Sequence, residues 1–163
     1  MLSAYVGSMS FYRTQSLSCC WLLLPVTLLY TSFPAVAAEP AISGPIAAEV
    51  VKVRDGDTVE VTAHIWPQQT VSVAVRLRGI DAPEISGKCA AEKQAAEVAK
   101  ARLVALLAGG GVTLANVSGD KYFGRVLAEM SAEGEADVGG ILLREGLVAP
   151  YQGKARRDWC DGA

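Results

Sequence analysis

Val71-Ser72-Val73-Ala74-Val75-Arg76-Leu77-Arg78-Gly79-Ile80-Asp81-Ala82-Pro83-Glu84 is the stretch on which the fold turns. Val71, Val73, Val75 and Leu77 alternate with Ser72, Ala74, Arg76 and Arg78, the period of two of a half-buried strand. The alternation puts Arg76 on the face opposite the apolar residues. Pro83 holds Ala82 extended, so the strand runs out through an acidic stretch from Asp81 to Glu84. Upstream, Arg54-Asp55-Gly56-Asp57-Thr58 is a turn sequence, since Gly tolerates positive φ and Asp bonds its own backbone. Downstream, Asp120-Lys121-Tyr122-Phe123-Gly124-Arg125 adds a third polar segment.

Outward from this strand the pattern continues. Residues 39–47, with Pro40, Gly44 and Pro45, read as a linker. Val50–Val53 and Val59–Thr62 are short strands on either side of the Asp-Gly-Asp turn, and Trp66-Pro67-Gln68-Gln69 marks the next reversal. Ala91, Ala95, Val98, Ala99, Leu103 and Leu106 recur at helical spacing, which predicts a helix over Ala90–Leu107 stopped by Gly109-Gly110-Gly111. Val112–Val117 and Arg125–Met130 give two more strands. Asp137 caps a second helix through Leu143 that ends at Gly146, and beyond Tyr151 only a turn near Trp159 is expected. Runs of strands and helices in this order predict an α+β fold: a five-stranded antiparallel barrel with two to three packed helices, over residues 48–163.

Residues 19–38 carry no charge, Arg13 precedes them, and Ala35-Val36-Ala37 is a small-x-small cleavage site. Residues 1–38 therefore read as a secretory signal peptide, with Met9 as an alternative start, and the product is expected to be secreted or periplasmic. Pro25 and Pro34 interrupt the apolar run; the competing reading is an uncleaved signal anchor. Cys19 and Cys20 leave with the signal. Cys89 and Cys160 remain, and an exported chain with two cysteines invites a bridge between them; two reduced thiols are the alternative.

The chain has 15 Lys and Arg against 17 Asp and Glu. Removing residues 1–38 takes away Arg13 and no acid, which moves the formal charge from −2 to −3. That argues against a broad electrostatic grip on nucleic acid, and any such contact must be local. Lys154-Ala155-Arg156-Arg157 is the one basic cluster and reads as a solvated turn or an outer contact. His64, the only histidine, lies outside the three polar segments.

The three segments together supply carboxylates for a hard cation and guanidinium groups for a phosphate. In order and spacing they resemble the thermonuclease, or staphylococcal-nuclease-like, family: an Asp-Gly-Asp-Thr turn, an Arg-Leu strand into Asp-x-Pro-Glu, and a later Asp-x-Tyr-Gly-Arg. The resemblance spans about Val50 to Tyr151. It implies an OB-fold barrel and a Ca²⁺-dependent nuclease acting on DNA and RNA with 3′-phosphate products. By the same resemblance Asp57, Asp81 and the backbone carbonyl of Ala82 hold Ca²⁺, with Asp55 behind them. Glu84 is the general base, Arg76 and Arg125 hold the scissile phosphate, and Tyr122 and Tyr151 line the nucleotide pocket; apart from the resemblance, Lys121 is by its charge an expected outer substrate contact.

Two departures stand out. Ala82 occupies a position where the family often has Thr, which a backbone ligand tolerates. Phe123 is an extra residue between Tyr122 and Gly124-Arg125; on a strand it would flip every later side chain, and a turn or bulge would absorb it. Alignment on Gly124-Arg125 keeps Arg125 in place and leaves Tyr122 displaced. The expected molecule is a monomer without stable membrane association once the signal is cleaved. The rival reading is a non-catalytic OB-fold module that binds single strands or a protein partner, which would want a basic groove and aromatic platforms.

Overall fold

The computed structural model describes residues 40–160, and the candidate signal peptide lies outside them. The elements run β1 (Ile46–Val53), β2 (Thr58–Trp66), β3 (Gln69–Leu77), β4 (Ile80–Asp81), α1 (Ala90–Leu106), β5 (Gly111–Gly119), β6 (Arg125–Ala132), α2 (Val138–Arg144) and β7 (Ala149–Pro150). β1 thus starts at Ile46, inside the segment that read as a linker.

The hairpin of β2 and β3 sets the frame. Val59 lies opposite Val75 and Val61 opposite Val73, and Val59, Val61 and Val75 are fully buried. The same register puts Thr58 opposite Arg76, so Asp57, at the mouth of the turn, arrives beside the arginine. The strands close into a barrel in the order β1-β2-β3-β6-β5, with β5 returning to β1. Four of its seams are antiparallel. The fifth, between β3 and β6, is parallel and pairs Ala74 with Arg125 and Arg76 with Leu127. This is the α+β OB-fold barrel, with one parallel seam where the pattern pointed to antiparallel strands throughout.

Helix α1 starts at Cys89, whose Sγ accepts the Glu92 amide. Its buried face is Glu92, Ala96, Ala99 and Leu103. Val98, counted on the apolar stripe from spacing, is half exposed: small alanines, not bulky residues, let this helix approach the barrel closely. Leu103 and Leu107 join the barrel core with Val59, Val61, Leu77 and Leu114. α2 is capped by Asp137, which accepts the Gly140 amide at 2.8 Å, and stops at Gly146 with φ of 72°. It adds Val138 and Leu142 to the same core. These are the two helices among the described residues, and neither is long and apolar enough to cross a membrane. The chain bends at Trp159 and Cys160, where a turn was expected.

Two features lie outside the barrel and shape the site. β7 pairs with β4, matching Ile80 to Pro150 and Asp81 to Ala149. A disulfide joins Cys89 to Cys160, with Cα atoms 6.1 Å apart. The chain from Tyr151 to Cys160 is therefore held at one end by the β4 pairing and at the other by the head of α1.

Candidate active site

Gly56 makes the site possible, for a reason other than turn geometry. A Cβ there would lie 2.8 Å from the Ala99 methyl and 3.0 Å from that of Ala82. Only glycine lets the Asp-Gly-Asp turn press against α1 and the Ala82 backbone. The turn then delivers Asp57 into the fold, 2% exposed, next to Asp81, 1% exposed.

Arg76 joins the two acids. Its Nη1 donates to the Asp57 carboxylate at 2.7 Å and its Nη2 to Asp81 at 3.0 Å. Asp57 also accepts the Thr58 hydroxyl at 2.8 Å and the Ala82 amide at 3.1 Å, which ties the turn to the end of β4. Asp55 accepts the Asp57 amide at 3.1 Å and braces the turn from behind. Burial pushes the Asp57 carboxyl up to about 7 against the opposing pull of Arg76, and the charge of Asp55 adds to the rise. A buried carboxyl disfavoured in its charged form is one that a nearby cation would stabilise.

The Glu84 side chain is half exposed on the loop after Pro83. That loop hangs from Glu92, which sequence reading overlooked. The Glu92 carboxylate accepts the Glu84 amide at 3.3 Å and the Lys88 amide at 2.8 Å. The available signal was an acid three residues past a cap, although here it reaches back to the loop and not to the cap.

A cleft of about 540 Å³ opens beside these groups, lined by Arg76, Asp81, Glu84, Lys121, Tyr122, Arg125 and Tyr151. Tyr122-Phe123-Gly124-Arg125 is a tight turn closed by the Arg125 amide on the Tyr122 carbonyl, with Gly124 at φ of 81°. The extra residue is absorbed there, before β6 begins, and the parallel register with Ala74 brings Arg125 to the cleft. Arg125 ion-pairs with Asp120, and its guanidinium lies 4.7 Å from the centre of the Tyr122 ring. Lys121 Nζ approaches the same ring at 4.9 Å, so Tyr122 sits within the cation-rich wall. The Tyr151 ring is 6.0 Å from the Arg76 guanidinium.

Two other arginines make contacts of their own. Arg78, which the alternation places on the polar face of its strand, donates to the Asn116 and Leu127 carbonyls and the Ser118 hydroxyl, pinning the end of β3 across β5 and β6. Arg156, read as part of a solvated turn or an outer contact, enters the site itself. Its Nε donates to Asp81 at 2.9 Å, its Nη1 to Glu84 at 2.7 Å and its Nη2 to the Ala82 carbonyl at 3.0 Å. No sequence signal points to this, because the segment carrying Arg156 is irregular and reaches the site only through its two anchors.

The barrel with a cleft of buried acids and arginines at its rim defines an OB-fold of enzyme-like design. A family model described as staphylococcal nuclease homologue matches residues 74–159. Two relatives named uncharacterized endonuclease, from Escherichia coli and Escherichia coli O157:H7, are each 30% identical over 129 residues. That span is 79% of this chain and 72% of either relative. The chain belongs to the staphylococcal nuclease homologue family. The matched span begins at Ala74, so Asp57 lies ahead of it and joins the site through the β2–β3 pairing.

Proposed function

We propose that the protein is an exported, Ca²⁺-dependent nuclease that hydrolyses phosphodiester bonds of DNA and RNA. One observation carries the reading: Arg76 and Arg125 line one cleft with Asp81 and Glu84, and Arg76 joins Asp81 to a second buried carboxylate, Asp57. Acids alone would suit a structural ion site, and arginines alone an anion site. Both facing one cleft suit a phosphodiester held against a cation.

Asp57, Asp81 and the Ala82 carbonyl would hold the metal. Their donor set is all oxygen, with two carboxylates and an irregular geometry, which fits Ca²⁺ better than a softer ion. The bound ion supplies Lewis-acid polarisation of the phosphate. Glu84 removes a proton from the attacking water, the new oxygen–phosphorus bond forms, and the bond to the 5′-oxygen breaks. One fragment keeps a 3′-phosphate, and the leaving 5′-oxygen takes a proton from solvent water to become a 5′-hydroxyl. Arg125 and Arg76 bind the non-bridging oxygens, where negative charge grows in the transition state. Tyr122, Tyr151 and Lys121 contact the nucleotide along the cleft, and Asp55 steadies the turn behind Asp57.

Export is supported by the charge-free segment at residues 19–38 and by the Cys89–Cys160 bridge, which belongs to an oxidising compartment. The test is digestion of denatured DNA and of RNA by the purified mature chain with millimolar Ca²⁺, then with chelator, followed by analysis of the product ends. Cleavage that stops with chelator and leaves 3′-phosphates is the expected result. No cleavage above background overturns the reading.

A further inference from the structure

Arg156 is the cation closest to the acids after Arg76, and its position is unusual. It approaches Asp81, the Ala82 carbonyl and Glu84 together, the same oxygens that the proposed metal and base require. Partial burial disfavours its charged form, yet hydrogen bonds and charge from Asp81 and Glu84 hold its pKa above the ordinary arginine value. Its strap is anchored at both ends. The Tyr151 amide donates to the Gly79 carbonyl at 2.8 Å beside the β4–β7 pairing, and Cys160 is bridged to Cys89 at the head of α1.

We propose that Arg156 is a tethered cation that competes with the divalent metal for Asp81, the Ala82 carbonyl and Glu84, so that metal binding requires this side chain to swing away. The inference rests on the metal reading given above. A Ca²⁺ ion takes oxygen ligands at about 2.3–2.6 Å, on the lone pairs to which the guanidinium N–H groups now point. Arg76 and Arg156 already share Asp81 Oδ1, so a divalent ion would be a third cation there, and Arg156 is the one that also covers the Ala82 carbonyl and Glu84. Displacement frees Glu84 at the same moment, because its Oε1 is the acceptor for Nη1. Metal loading and release of the base are thus one event. The anchors keep the displaced arginine at the mouth of the cleft, at high effective concentration, ready to return when the metal leaves. Arg157, one residue on, lies instead over the Trp159 ring at 4.6 Å and offers an internal control.

The experiment is calorimetric titration of Ca²⁺ into the mature chain without nucleic acid, for the parent protein and for Arg156→Ala, Arg156→Lys and Arg157→Ala. Thermal melts without metal establish that each variant is folded. Removing a charge-assisted competitor should tighten Ca²⁺ binding about tenfold or more in Arg156→Ala, with Arg156→Lys between it and the parent, and Arg157→Ala within about twofold of the parent. Equal or weaker binding by Arg156→Ala overturns the competition and leaves the metal reading standing. An equal gain in Arg157→Ala also overturns it, since general charge would then explain the effect. Failure of every variant to bind Ca²⁺ defeats the metal reading, and the competition with it.

Discussion

The carboxylate of Glu92, in the first turn of α1, accepts the backbone amide of Glu84 at 3.3 Å. A buried helix residue therefore fixes the loop that carries the proposed base. Gly87 is the other half of this device: a Cβ there would fall 2.5 Å from the same carboxylate.

Glu92→Ala should lower both stability and turnover. Two amides, of Glu84 and Lys88, lose their acceptor, at a cost of about 1–3 kcal/mol. The freed loop should cut kcat about tenfold or more while KM changes little, because Glu84 moves off its line to the water. Urea melts and steady-state kinetics on denatured DNA measure the two effects separately.

Arg76→Ala and Arg125→Ala should separate in stability while converging in activity. Each removes a phosphate contact, with a loss of turnover of about a hundredfold or more. Arg76→Ala also leaves Asp57 buried without its counter-ion and Asp81 with Arg156 alone, at about 3 kcal/mol in metal-free protein. Arg125 pairs with the partly buried Asp120, one acid and not two, so its removal should cost less than that of Arg76. Equal melting temperatures for the two variants would contradict the arrangement.

Gly56→Ala tests the close approach of the turn to α1. The added methyl meets Ala99 and Ala82 inside ordinary contact distance, so overpacking should destabilise the fold by about 1–3 kcal/mol. Ala82 is part of the proposed metal site, so Ca²⁺ affinity should fall as well. A Gly56→Ala protein with unchanged Ca²⁺ affinity and melting point would show that the contact relaxes freely.

Opening the Cys89–Cys160 bridge by Cys160→Ser should cost about 2–4 kcal/mol, because the bridge closes a loop with a sequence separation of 71. Free-thiol labelling of unreduced, exported protein should find no reactive group; two would refute the bridge.

Binding to long strands should depend only weakly on salt. The formal charge of the chain is −2, and the cations of the cleft are partly spent on acids: Arg76 on Asp57 and Asp81, Arg125 on Asp120, Arg156 on Asp81 and Glu84. Titration of a non-cleavable strand across salt concentrations should give a shallow slope. A slope equivalent to roughly six or more neutralised phosphates would point to a basic track along the barrel.

By itself the sequence determined whatever is local in the chain. Alternation along Val71–Leu77 gave the strand, Asp137 and Gly146 bounded α2, and two of the three polar segments, 76–84 and 120–125, contain residues that line the cleft. Such features are legible because side-chain period, capping and turn chemistry act within a few neighbouring residues. Only the tertiary structure decided the parallel seam of β3 with β6, the need for glycine at position 56, the role of Glu92 and the place of Arg156. Each of these joins residues far apart in sequence, or comes from a segment without period. Val98 shows the limit most plainly: its helical spacing fits the apolar stripe, but which face is buried depends on how closely the barrel packs, and Ala96 and Ala99 are small enough to win that place.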